Sequence, residues 1–255
     1  APRDLTSDVN SRGQVSYGGG AFSVAGEALF YCCDEGLFRL PLDHGGPRAM
    51  VPHHGAVAAP TPSPDGRWLL YVHHASGEDS LVLVDGEGER WPQRLARGAD
   101  FYMQPAWHPD NQRVAWVEWD HPNMPWDGSR LVLAELRMVD GVCVGKTAEV
   151  IAGDGATSVF QPTFSPDGRL LAYASDASGR GQLYLYDLVA GEARQLTDLP
   201  GELDQPAWAQ GMRSFAFDNE GKRLLAIENR DARARLWTID IDSGRCEVLP
   251  GLESY

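Results

Sequence analysis

Lysine is nearly missing from this chain. Of 22 basic residues only Lys146 and Lys222 are lysines, and 36 acidic residues bring the formal charge to −14. Such a surface repels a phosphate backbone, which sets nucleic acid aside as a partner. It tolerates a cationic one, such as the free amino terminus of a peptide, and it favours solubility. Cysteine is scarce too: Cys32, Cys33, Cys143 and Cys246, with no Cys-x-x-Cys spacing. That count excludes a disulfide scaffold and suits reduced thiols in a cytosolic protein. Neighbours on a strand point to opposite faces, so Cys32 and Cys33 cannot ligate one metal together. The pairs His53-His54 and His73-His74 diverge in the same way, and we expect neither a metal site nor a cofactor. No apolar run approaches the ~18 residues of a membrane helix, and nothing in the sequence reads as an export signal. The expectation is a soluble, cytoplasmic protein with no membrane partner. Helical periodicity is the last absence; a period of two dominates.

What is present is repetition. Four turn-forming marks recur: Ser63-Pro64-Asp65-Gly66, His108-Pro109-Asp110-Asn111, Ser165-Pro166-Asp167-Gly168 and Asp218-Asn219-Glu220-Gly221. Each has proline or an acidic group early, and glycine or asparagine where a positive φ is needed. Each leads into a basic residue and an apolar strand, as in Arg169 to Ala174, and then into a strand of alternating character such as Gln182 to Asp187. A glycine turn and a short closing strand follow. In the third unit Asp140-Gly141 supplies that turn. Ahead of the marks, Gln104-Pro105-Ala106-Trp107, Gln161-Pro162-Thr163-Phe164 and Gln205-Pro206-Ala207-Trp208 read as first strands, the last with Ala209 to Phe217 inserted before its mark. Proline removes a ladder bond, so these strands should be edges, innermost in a radial arrangement.

The 255 residues therefore read as one all-β domain with apolar content ample for a core. The fold expected is a β-propeller of four-stranded antiparallel blades, about five of them, in an incomplete ring. The blades fall roughly at 17–55, 56–98, 99–153, 154–200 and 201–250, the first without a Pro-Asp-Gly mark. Missing blades would leave exposed edge strands, which invite pairing with another copy.

The stretch Trp116 to Leu136 stands apart. Between two apolar strands lie ten residues dense in aromatic, amide and acidic groups, stiffened by Pro122 and Pro125. The candidate contact residues are Asp120, His121, Asn123, Trp126 and Asp127. The two carboxylates would hold a positive group or cap backbone amides, Trp126 would offer an apolar wall, and Asn123 would fix a peptide bond. Alternatively Asp120 and Asp127 satisfy turn amides within the loop, and the tryptophans plug the loop onto its own sheet. No nucleophile and base can be assembled, so no catalytic residue is assigned.

The run Trp119-Asp120-His121-Pro122-Asn123-Met124-Pro125-Trp126-Asp127-Gly128 resembles the propeller of the prolyl oligopeptidase family of serine peptidases, in its bacterial acylaminoacyl-peptidase or dipeptidyl-aminopeptidase-like branch. Tyr17-Gly18-Gly19-Gly20, Phe160-Gln161-Pro162 and the later Gln-Pro-Ala-Trp fit the same pattern in order. The resemblance implies a non-catalytic propeller that covers an α/β-hydrolase domain and admits short peptides. No Gly-x-Ser-x-Gly occurs, and all seven histidines lie between His44 and His121. The hydrolase domain is therefore expected to be absent from this stretch, which reads as a fragment of such a peptidase. Where relatives tend to carry Arg-Val-His-Glu before the Tyr-Gly-Gly-Gly turn, this chain has Arg12-Gly13-Gln14-Val15-Ser16, which removes the acidic group. The Ser-Pro-Asp-Gly marks are shared with TolB-like propellers generally. Two alternatives remain: a stand-alone TolB-like protein-binding propeller, or an oligogalacturonate-lyase-like enzyme with metal-binding histidines at the axis.

Overall fold

The computed structural model describes residues 5–6, 9–15, 17–139 and 142–249, so the predicted Asp140-Gly141 turn and Ser16 lie outside the described residues. Among the described residues, twenty strands form five four-stranded antiparallel sheets, each built from consecutive strands. The first contains β1 (Phe22–Ala25), β2 (Ala28–Cys33), β3 (Gly36–Pro41) and β4 (Arg48–Ala49). The second holds β5 (Ala56–Pro62), β6 (Trp68–Ala75), β7 (Glu78–Asp85) and β8 (Gln93–Ala96). The third runs β9 (Phe101–Trp107), β10 (Arg113–Trp119), β11 (Arg130–Val139) and β12 (Val142–Ala152). The fourth is β13 (Val159–Phe164), β14 (Leu170–Ser175), β15 (Gln182–Asp187) and β16 (Glu192–Gln195), and the fifth β17 (Phe215–Phe217), β18 (Arg223–Arg230), β19 (Arg233–Asp240) and β20 (Cys246–Val248). No helix occurs among the described residues. The β-propeller architecture follows.

Composition explains which strand sits where. β14 (Leu-Leu-Ala-Tyr-Ala-Ser) is buried along its whole length because both of its faces meet neighbouring sheets. β16 (Glu-Ala-Arg-Gln) is exposed along its whole length and forms an outer edge. Apolar faces of successive sheets interdigitate, as where Leu171, Leu183 and Leu185 join Phe215, Leu224 and Ala226 in one cluster. At about 25 cal/mol per Å² of apolar surface removed from water, this stacking is the main stabilising term.

The marks fold as their chemistry demands. Ser165 Oγ donates to Asp167 Oδ1 at 2.6 Å and accepts from Leu170 N at 2.9 Å, while Gly168 takes φ +72°. Ser63, Asp65 and Trp68 repeat the arrangement. In the third sheet His108 replaces the serine: its Nδ1 accepts from Asp110 N, its Nε2 faces Gly168 O at 2.7 Å, and Asn111 takes the positive φ of 62°. That histidine thus ties one mark to the next.

Pro60, Pro105 and Pro162 lie on the edge strands β5, β9 and β13. Ala59, Gln104 and Gln161, each preceding a proline, take φ of 53°, 53° and 54°, and the register slips at the same three places. These are β-bulges, which turn the innermost strands toward the axis. The fifth sheet departs from the expected pattern. Gln205-Pro206-Ala207-Trp208 is not a strand; it lies in the connection before β17, and Phe215–Phe217 takes the innermost place. The reason is a long-range network. Gln210 N donates to Gly18 O, its Oε1 accepts from Gln104 N and its Nε2 donates to Tyr102 O. Gln104 Nε2 reaches Met212 O, and Gln161 Oε1 accepts from Ser214 N. Held by the third and fourth sheets and by Gly18, residues 209–214 run beside the innermost strands, and residues 211–213 border the space between those strands.

The outward face of the fifth sheet is uncovered, whereas that of the first is covered in part, with Leu29, Tyr31 and Cys33 buried beside Val9. Along β18 burial alternates: Leu224, Ala226 and Glu228 are buried, whereas Leu225 and Ile227 are 38% and 40% exposed. In β1, Phe22 and Val24 are exposed.

Candidate functional site

Antiparallel order places the hairpins between second and third strands, and the connections between sheets, at one end of the propeller. The long 120–129 loop, between β10 and β11, lies at that end. Its two carboxylates are occupied within the chain. Asp120 Oδ2 binds the Arg130 guanidinium at 2.8 Å and its Oδ1 accepts from Asp100 N at 3.0 Å. Burial would raise the Asp120 pKa, but the Arg130 and Asp100 hydrogen bonds and the Arg130 charge outweigh it and hold the carboxyl below its ordinary value. Asp127 Oδ2 accepts from Met124 N at 3.0 Å, closing a turn. Asn123 Nδ2 donates to Gly155 O at 2.8 Å, linking the loop to the following connection. Ser129, buried, donates to Pro125 O and accepts from Val159 N, fixing the loop's base.

Aromatic rings occupy the rest. Trp119 is fully buried, stacked on Phe101 with centroids 5.1 Å apart, and Tyr17 meets both rings edge-on. His121, exposed, packs edge-on against Phe101 at 4.9 Å and receives its position from Asp100, whose Oδ2 accepts the His121 amide. The Tyr17 hydroxyl reaches Met124 Sδ at 3.6 Å, and burial raises its pKa. Trp126 is half-buried and pairs with Trp208 at 4.3 Å between centroids, with planes at 50°. Trp208 is 62% exposed.

Trp208 is the site residue that sequence reasoning missed. Its counterpart Trp107 shares the Gln-Pro-Ala-Trp motif but is buried, donating to Thr61 O. The signal was the insertion of Ala209 to Phe217, which lifts the fourth motif residue out of the strand position. The structure thus joins Asp120, His121, Asn123, Trp126 and Asp127 in one ordered loop, adds Tyr17, Phe101 and Trp208, and leaves an exposed aromatic pair as the group free to meet another molecule.

The same end carries a second acidic group. Asp176 accepts from Ser158 N, Glu202 accepts from Gly181 N, and Asp204 stands over Gly181. Burial, then the charges of Glu202 and Asp176, push the Asp204 carboxyl up to about 6. Among the described residues no group of three His, Cys, Asp or Glu side chains has metal-holding geometry. The end is therefore an acidic rim around an aromatic patch, a surface that attracts a cation and binds apolar area beside it.

The sequence pattern of the PD40 family, the TolB beta propeller domain, matches residues 80–250. The chain is 49% identical over 49 residues to the uncharacterised peptidase YuxL of Bacillus subtilis, a stretch that covers 19% of this chain and 8% of that protein. Its fold superposes on the crystal structure of puromycin hydrolase with a TM-score of 0.82 and 25% identity, covering 97% of this chain and 41% of that one. A puromycin-hydrolysing peptidase of Mycobacterium tuberculosis gives a TM-score of 0.72 at 23% identity, covering 97% and 48%. The chain thus spans less than half of each of these relatives, and its likeness to the propellers of peptidases agrees with the resemblance carried by residues 119–128.

Proposed function

Because this chain belongs to the TolB β-propeller domain family, we propose that it works as the non-catalytic propeller of a serine peptidase, set over an α/β-hydrolase domain and selecting short peptides for it. The observation that carries this reading is the match of 97% of the chain to 41% of puromycin hydrolase. In the proposal the loop end faces the hydrolase domain. Trp126 and Trp208 supply the apolar contact, the Asp120–Arg130 pair keeps the loop in shape, and the acidic rim favours the charged amine of an incoming peptide.

Two experiments test it in sequence. The reading frame that encodes the chain is expected to continue into a Gly-x-Ser-x-Gly hydrolase; a frame that lacks one sinks the proposal. In the intact enzyme, Trp126→Ala and Trp208→Ala are expected to raise KM for short peptides at least fivefold while the circular dichroism spectrum stays that of the parent. Unchanged KM in both variants would remove the loop end from substrate selection.

A stand-alone protein-binding propeller is the second reading, favoured by the exposed aromatic pair itself. Co-purification of a stable protein partner by a chain that carries no hydrolase domain would support it.

A further inference from the structure

An antiparallel sheet stays open at its edges, and this chain keeps most of its outer edges short. The outer strands β4, β8, β16 and β20 run two, four, four and three residues. β12, the outer strand of the third sheet, runs 11 residues, none of them buried. The other usual protections of an edge are missing too. Val-Cys-Val-Gly-Lys-Thr-Ala-Glu-Val-Ile-Ala holds no proline, and Lys146 and Glu149 cancel to no net charge within a chain of −14. Val142, Val144 and Val150 are exposed. A long, apolar edge without net charge is a template for another strand.

The ladder fixes which backbone groups are open. Leu136 N donates to Gln112 O, so Leu136 turns its backbone groups toward β10. Its partner Lys146 therefore turns its own away from β11, and so do Ala148 and Val150, paired with Ala134 and Val132. Among the described residues no strand lies beyond them. Irregularities in the register fall at the two ends of β12 and leave Gly145 to Val150 continuous.

Self-complementarity names the occupant. A two-fold axis perpendicular to the sheet places one residue of an antiparallel edge opposite itself. Centring it on Lys146 or on Glu149 opposes like charges. Centring it on Thr147, the middle residue of β12, keeps the whole continuous stretch paired. Lys146 then faces Ala148 of the second copy, with the outward backbone groups of both in register. Thr147 meets Thr147 and Val144 meets Val150, cross-strand pairs that favour a sheet. Glu149 falls opposite Gly145, and the Lys146 ammonium is drawn back over the Trp116 ring at 5.3 Å.

We propose that β12 is a dimerisation edge: a second copy of this chain adds its own β12 in antiparallel register about Thr147, joining the two third sheets into one. The edge lies on the outer circumference of the propeller, so the inference stands or falls independently of the peptidase reading.

Sedimentation velocity on the full 255-residue chain tests it. The Leu225→Glu, Ile227→Lys background is used, so that the open face of the fifth sheet contributes nothing. A dimer with a Kd of about 1–100 µM is expected, as suits a small interface. Ala148→Pro deletes an outward N–H that the β11 ladder does not use, and should weaken the dimer at least tenfold while the circular dichroism spectrum stays that of the parent. Val144→Lys with Val150→Lys, at side chains already exposed, should weaken it as much without touching the backbone. Thr147→Cys, combined with Cys143→Ser and Cys246→Ser, should give a disulfide-linked dimer on oxidation, because facing residues of a non-hydrogen-bonded pair stand close enough to bridge. A chain that stays monomeric in that background, a dimer indifferent to both β12 variants, or Thr147→Cys that fails to cross-link would overturn the assignment. So would a β12 that captures a strand of a different protein instead.

Discussion

Asp204 shows how a single residue can act against the fold that holds it. Its carboxyl is pushed up from an ordinary 3.8 to about 6 by burial and by the charges of Glu202 and Asp176. The folded chain therefore binds this proton more tightly than the unfolded chain. Stability from this group is fully present below the unfolded value and is lost as pH rises through about 6. Asp204→Asn removes that loss. We expect it to stabilise the protein at pH 8 by about 1–2 kcal/mol, after allowance for partial exposure, and by little at pH 4. Urea midpoints of the two proteins across that range check it; parallel curves would refute it. At this scale the sequence was informative about candidates but not about partners. Asp120 and Asp127 stand in the loop that the sequence singled out, yet nothing local said that Arg130 and the Met124 amide would occupy them. Trp208 was unreadable as a site residue because its contact, Trp126, is distant in the chain.

Elements were more legible, because turns are written locally. A Ser-Pro-Asp-Gly run specifies its own hydrogen bonds, and Ser165 meets them with one hydroxyl. Ser165→Ala leaves the Leu170 amide without its acceptor and is expected to cost about 1–2 kcal/mol, read as a lower thermal midpoint. Gly153 is a stricter case: at φ +76° an added Cβ would stand 2.0 Å from Ser129 O, which is backbone and cannot swing away. Gly153→Ala is expected to destabilise by more than about 2 kcal/mol and to loosen the base of the 120–129 loop, visible as faster amide exchange of Val159. The assignment of Gln205 to a first strand failed for the converse reason. The innermost place in the fifth sheet is decided by bonds among Gly18, Gln104, Gln161 and residues 209–214, none of which is local. Gln161→Ala, which strips acceptors and donors from buried backbone groups, should cost about 2–3 kcal/mol in the same thermal assay.

At the scale of the whole molecule, the uncovered face of the last sheet sets the association behaviour beyond the β12 dimer. Leu225 and Ile227 present aliphatic area to water on its outward side. We expect the isolated chain to self-associate at high concentration through this face, and Leu225→Glu with Ile227→Lys to abolish that association in sedimentation velocity. The stack itself was visible from the spacing of the marks, since repeated units that cannot bury both faces alone must lean on one another. Ring closure was not, because it depends on what meets the two ends. The stitched middle has one more implication. Opening a route through the hub would break a handful of glutamine bonds at once, so if a hydrolase domain lies beneath the aromatic loop as proposed, its substrates would reach it sideways, past the rim. The width of that lateral slit, rather than any bore, would then set the largest molecule admitted.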